Sequence, residues 1–164
     1  MRKSVLISIF CLTFLTAPWV PYGFEVPHTP LIAYATDFPY VEEEIIFLCN
    51  ELRKGHGLSP LVHNWEAARV ARYKTEDMKN HNYFSHDSPV YGSFFDMLDN
   101  FRIPYKSAGE NIAMGLPVPQ KVVDAWAASS SHRKNILSES FTHAGVGYST
   151  DGKVHYWALI LLES

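Results

Sequence analysis

Cysteine is the first shortage in this chain: its 164 residues include only two, Cys11 and Cys49. Cys11 falls in an N-terminal stretch that reads as an export signal, so a mature chain keeps Cys49 alone and no intramolecular disulfide can form. Basic charge is also short, with 14 Lys and Arg against 17 Asp and Glu and a net charge of -3. No basic patch is offered to nucleic acid, which excludes that partner class. Long apolar runs are missing too. The stretch from Val5 to Leu15 is interrupted by Ser8, Cys11 and Thr13, whereas about 20 apolar residues are needed to cross a bilayer. Several catalytic signatures are absent as well: His-Glu-x-x-His, Cys-x-x-Cys, the Gly-x-Ser-x-Gly elbow and the Gly-rich phosphate loop.

What is present is apolar enough for one packed domain, at 47% hydrophobic and 19% charged residues. The basic start Met1-Arg2-Lys3 ahead of a short apolar run is the pattern of a secretory signal. The expected location is therefore secreted or extracytoplasmic, with membrane contact only through an uncleaved signal anchor. Ala33-Tyr34-Ala35 fits the small-x-small cleavage rule, and a cut near Ala17 is the alternative. Ile9-Phe10 before Cys11 is a poor match to a lipoprotein signal. A cut after Ala35 removes Arg2, Lys3 and Glu25 and takes the net charge from -3 to -4. Residues 1 to 35 thus read as signal peptide and Pro-rich segment, and residues 40 to 162 as the domain. Because that leading segment lacks periodicity, a chain starting near Thr36 is expected to melt like the full mature chain. A large fall in Tm would show instead that the segment packs on the domain.

From Tyr40 to Lys54 the apolar positions recur at helical spacing, with Glu42, Glu43 and Glu44 in the expected first turn and Gly55 and Gly57 as the stop. Cys49 shares a face with Val41, Ile45, Leu48 and Leu52, which makes it a packed core thiol rather than a nucleophile. Asn64 caps a second helix from Trp65 to about Lys79, flanked by His63 and His81, which read as boundary histidines. Ser85 to Gly92 is turn-rich, and Ser93-Phe94-Phe95-Asp96 is a capping arrangement opening a short helix whose aromatics pack inward. After an extended Gly-Glu-Asn segment, Pro117 and Pro119 precede a helix carrying Val122, Val123 and Trp126. A further helical turn begins near His132, with Ser129 to Ser131 placed to cap it. The chain ends in a hairpin, Ala144 to Tyr148 and Val154 to Leu162, turning at Asp151-Gly152. In its last strand Tyr156, Ala158 and Ile160 point one way and Trp157, Leu159 and Leu161 the other. Both faces of the sheet must then be covered, giving an α/β three-layer α-β-α sandwich around a mainly antiparallel sheet.

Chemistry concentrates in three places: Tyr83-Phe84-Ser85-His86-Asp87, Ser107-Ala108-Gly109-Glu110-Asn111-Ile112-Ala113, and Trp126 followed by Ser129-Ser130-Ser131-His132-Arg133-Lys134-Asn135-Ile136-Leu137. Ser85-His86-Asp87 contains the letters of a hydrolase triad, but neighbours in one loop cannot face one another as that mechanism requires. Asn111 fixes backbone near Glu110, and Arg133 and Asn135 tie the short helix to its surroundings.

The order of these motifs, closed by Phe141-Thr142-His143-Ala144-Gly145-Val146-Gly147, resembles the CAP superfamily (cysteine-rich secretory, antigen 5, pathogenesis-related 1) in its bacterial secreted branch. The resemblance implies a CAP-like sandwich with a cleft lined by two imidazoles and two acids. His86 and His132 match the imidazoles and Glu110 one acid, while Ser129 stands where the second acid is usual. It further implies a small ligand, a lipid or a cell-envelope component as partner. A divalent cation such as zinc is the cofactor it allows, held by His86 and His132. The competing readings are a metal-assisted hydrolase with Glu110 as base, an interaction protein with a vestigial cleft, and a purely structural hydrogen-bond network.

Overall fold

The computed structural model describes residues 38–163. The leading segment, with its signal and cleavage sites, lies outside them. Five helices and four strands follow in the order α1 (Phe38–Gly55), β1 (Val62–His63), α2 (Trp65–Asn80), α3 (Phe94–Asn100), β2 (Ser107–Met114), α4 (Pro119–Ala128), α5 (Ser130–Ile136), β3 (His143–Thr150) and β4 (His155–Glu163). The sheet order is β1-β3-β4-β2, with β1 parallel to β3 and the other pairings antiparallel.

β4 lies inside the sheet, paired along its length with β3 on one side and β2 on the other. Its alternation sorts the core into two. Trp157, Leu159 and Leu161 pack with Ile45, Cys49, Val122, Trp126 and Ile136 from α1, α4 and α5. Tyr156, Ala158 and Ile160 pack with Val70, Ala71, Met78, Met97 and Leu98 from α2 and α3. The two helix layers and the sheet between them are the α-β-α sandwich expected from the strand pattern.

Local signals explain the helix starts. Asn64 accepts from the Ala67 amide at 2.9 Å, and Ser93 and Asp96 form a reciprocal capping box at the start of α3. Four expectations need correction. α1 begins at Phe38, so Glu42 to Glu44 fall beyond its first turn. Glu42 is buried and meets Arg72 on α2, with Arg72 Nε 2.9 Å from Oε2. It also accepts from the Tyr148 amide at 3.1 Å, joining α1 to β3. Burial pushes the Glu42 carboxyl up, against the pull of Arg72. Phe95 is 51% exposed, because the capping box turns Phe94 inward and its neighbour out. Arg133 is exposed on α5; the arginine that ties that helix is Arg53, which donates to the carbonyls of Ile136 and Ser138. Ser129 holds the N-cap position of α5 but makes no side-chain cap, its hydroxyl lying 3.2 Å from that of Ser131.

Cys49 is fully buried, and burial pushes its thiol up to about 12. A thiol reagent is therefore expected to label the native protein very slowly and the denatured protein at once. Rapid labelling of native protein would contradict the packing described.

Candidate functional site

The site is built on β2, an edge strand. Successive side chains of a strand point to opposite faces, so Glu110 lies on the α2 side with Ile112, and Asn111 on the α5 side with Ala113. α5 covers the open edge. Asn135 donates to the Glu110 carbonyl at 3.2 Å and to Asn111 Oδ1 at 2.9 Å, while Asn111 donates to the His132 carbonyl at 3.1 Å. Trp126 reinforces this seat by donating to the Ile112 carbonyl at 3.1 Å. Edge backbone that would otherwise remain unpaired is thus satisfied by α5 and α4.

On the other side, the loop after α2 brings His86 over Glu110. His86 Nδ1 stands 3.1 Å from Glu110 Oε2. The carboxylate side chain is 2% exposed and the imidazole 53%, so the acid is the floor of the site and the ring its wall. The hydrogen bond to Glu110 is the main cause holding the His86 ring above its ordinary value, with burial opposing it. His132 shifts the other way: burial first, and then the charge of His86, holds it down. One imidazole thus comes from the loop after α2 and the other from α5, and the charge of His86 reaches His132. No hydrogen bond joins the His132 ring to Glu110 among the described residues.

Glu110 Oε1 is buried and has no hydrogen-bond partner among the described residues. Ser129 contributes a hydroxyl where a second carboxylate was the family expectation, and it is half-buried. The donor set also fails a metal test. Among the described residues no three His, Cys, Asp or Glu side chains form a group able to hold an ion, and catalytic zinc sites use about three protein ligands. His86 has its Nδ1 turned to Glu110, which leaves its Nε2 as the one nitrogen of that ring outside the pair.

The fold is matched by relationship. The model of the Cysteine-rich secretory protein family, CAP, matches residues 46–161. The chain belongs to the CAP family. It is 46% identical over 139 residues to the uncharacterized protein YkwD of Bacillus subtilis (strain 168), covering 85% of this chain and 54% of that one. It is 40% identical over 120 residues to the uncharacterized membrane protein YlbC of the same organism, covering 71% and 35%. This CAP chain therefore spans about half or less of the length of these relatives. Among solved structures, an extracellular protein containing a SCP domain from Bacillus anthracis str. Ames superposes with a TM-score of 0.74 at 35% identity, covering 84% of this chain and 45% of that one.

Two buried charges beside this cleft escape a reading by motif. One is the buried Lys74 behind His86. The other is Asp77, which accepts from Ser88 Oγ at 2.6 Å and from the Tyr83 hydroxyl. Both sit on the apolar stripe of α2, among Val70, Ala71 and Met78, and a charge placed in such a register is the available signal.

Proposed function

We propose that this is an extracytoplasmic CAP-domain protein whose edge-strand cleft binds a small ligand through hydrogen bonds. Glu110 is the acceptor at the floor, with His86 and His132 beside it. The observation that carries this reading is Glu110 Oε1, a buried carboxylate oxygen without a donor among the described residues. Such an atom is costly unless something supplies a hydrogen bond, so the fitting ligand presents N–H or O–H groups. Secretion is supported by the basic and apolar N-terminal sequence and by the extracellular description of the Bacillus anthracis neighbour. No helix of the described residues is long and apolar enough to cross a membrane.

Glucosamine, which carries ammonium and hydroxyl donors, is a suitable probe for the cell-envelope class. Added at millimolar concentration to the labelled protein, it is expected to shift the NMR signals of His86, Glu110 and His132, and Glu110→Gln is expected to reduce those shifts. Unshifted signals, or equal shifts in the Glu110→Gln protein, would count against the reading. Zinc titration is expected to give only weak binding, since two imidazoles fall short of the usual ligand count. A tight one-to-one complex lost in both His86→Ala and His132→Ala would restore the metal version.

A further inference from the structure

Lys74 is 1% exposed, an unusual place for a lysine, which is almost never fully buried unless paired. No carboxylate lies within ion-pair distance of it among the described residues. Its Nζ instead donates to the His86 carbonyl at 2.7 Å, reaches the Tyr83 hydroxyl at 3.5 Å, and lies 5.4 Å from the Tyr83 ring centre. Burial holds the ammonium below its ordinary value, against the field of Glu110, Asp77 and Asp87, which favours the charge. The ammonium is therefore spent on the backbone of the residue whose ring closes the cleft.

Asp77 lies one turn further along the same buried face. It accepts from the hydroxyls of Tyr83 and Ser88. Ser88 Oγ in turn accepts from the amides of Val90 and Tyr91, and Ser88 and Gly92 exchange both backbone hydrogen bonds. The loop is thus pinned at residues 83, 86 and 88. His86 itself is more than half exposed, so its ring is not oriented by packing, and its aim toward Glu110 must come from the backbone beneath it.

We propose that Lys74 and Asp77 are positioning residues of the cleft: through the His86 carbonyl and the Tyr83 and Ser88 hydroxyls they fix the loop so that the His86 imidazole meets the buried Glu110 carboxylate. The functional weight of this inference rests on the ligand-site reading above. Its readouts are the ring of His86 and amide exchange in the loop, neither of which needs a ligand, so a failure to bind glucosamine and a failure of the positioning role are separate results.

The test is NMR on the full chain. The His86 Nδ1 proton, sheltered by Glu110, is expected as a downfield ring signal, assigned by its loss in Glu110→Gln. Lys74→Met keeps bulk but removes the donor. In that variant the ring signal is expected to vanish or broaden. Amides of residues 83 to 92 are expected to exchange about 10-fold faster or more, the scale of one charge-assisted hydrogen bond. The amides of β4 should lose less protection than the loop. An unchanged ring signal, or protection lost equally in the loop and in β4, would overturn the proposal. Should Lys74→Met fail to fold, Tyr83→Phe, which removes one hydroxyl from Asp77, carries the test. The same ring and loop effects support the proposal, and an unchanged ring signal with unchanged loop exchange overturns it.

Discussion

Gly145→Ala is expected to destabilise the protein by about 4 kcal/mol or more, the range reached only by severe core lesions. A Cβ at position 145 would stand 2.0 Å from the Ala68 amide nitrogen and 2.4 Å from the Ala67 carbonyl carbon. At position 147 it would stand 2.2 Å from the Ala71 carbonyl carbon. These are backbone atoms of α2, so no side chain can rotate away and the helix itself must lift from β3. Lifting it would also separate Val70, Ala71 and Met78 from Ala158 and Ile160. Chemical denaturation of Gly145→Ala and Gly147→Ala measures the effect. A loss under about 0.5 kcal/mol, the ordinary result of a surface change, would mean that α2 does not lie this close to the sheet.

Arg53→Met is expected to cost about 2 to 6 kcal/mol, since each of two buried carbonyls left without a donor costs about 1 to 3 kcal/mol. Arg53 is 2% exposed and donates to the carbonyls of Ser59 at 2.8 Å, Ile136 at 2.7 Å, Ser138 at 2.8 Å and Phe141 at 3.2 Å. Methionine can fill much of the space but supplies no donor, so the two buried bonds, to Ile136 and Phe141, leave unsatisfied carbonyls. Since two of the four acceptors belong to the end of α5 and the residue pair beyond it, damage should spread to the helix that covers the β2 edge. The check is a denaturation midpoint that falls with unchanged m, together with faster amide exchange in α5 than in α2. An unchanged midpoint would show that these carbonyls find water instead.

Much of the frame was legible because it depends on near neighbours. The two-sided apolar pattern of β4 requires a layer on each face. Asn64 and the Ser93 to Asp96 box announce helix starts through bonds spanning three residues. The tie made by Asn111 and Asn135 at the β2 edge also follows from polar residues set among apolar ones. The remainder depends on pairings that no local pattern specifies. Glu42 and Arg72 meet across 30 positions, and Arg53 and Ile136 across 83. Their positions still carried a sign. Glu42 sits three and four residues before Ile45 and Ile46, Arg53 four after Cys49, and Lys74 three after Ala71, each on an apolar face. A charge in that register must be buried with partners, although the sequence does not say which. Ser129 to Ser131 misled in the opposite sense: serines before a short helix suggest a cap, yet the hydroxyls of Ser129 and Ser131 meet one another.

The central claim is that the buried Glu110 carboxylate sets the state of His86 while burial and the charge of His86 set that of His132, and titrating both rings by NMR tests it most directly. Because the hydrogen bond to Glu110 raises His86 in the folded protein, its stabilising contribution is present below the ordinary value of about 6.5. That contribution is lost as pH rises through the folded-state value. His132, held down by burial and by His86, should lose its proton first as pH rises, and Glu110→Gln should bring His86 down toward it. Two rings titrating together near about 6.5, with His86 unmoved by Glu110→Gln, would contradict the account.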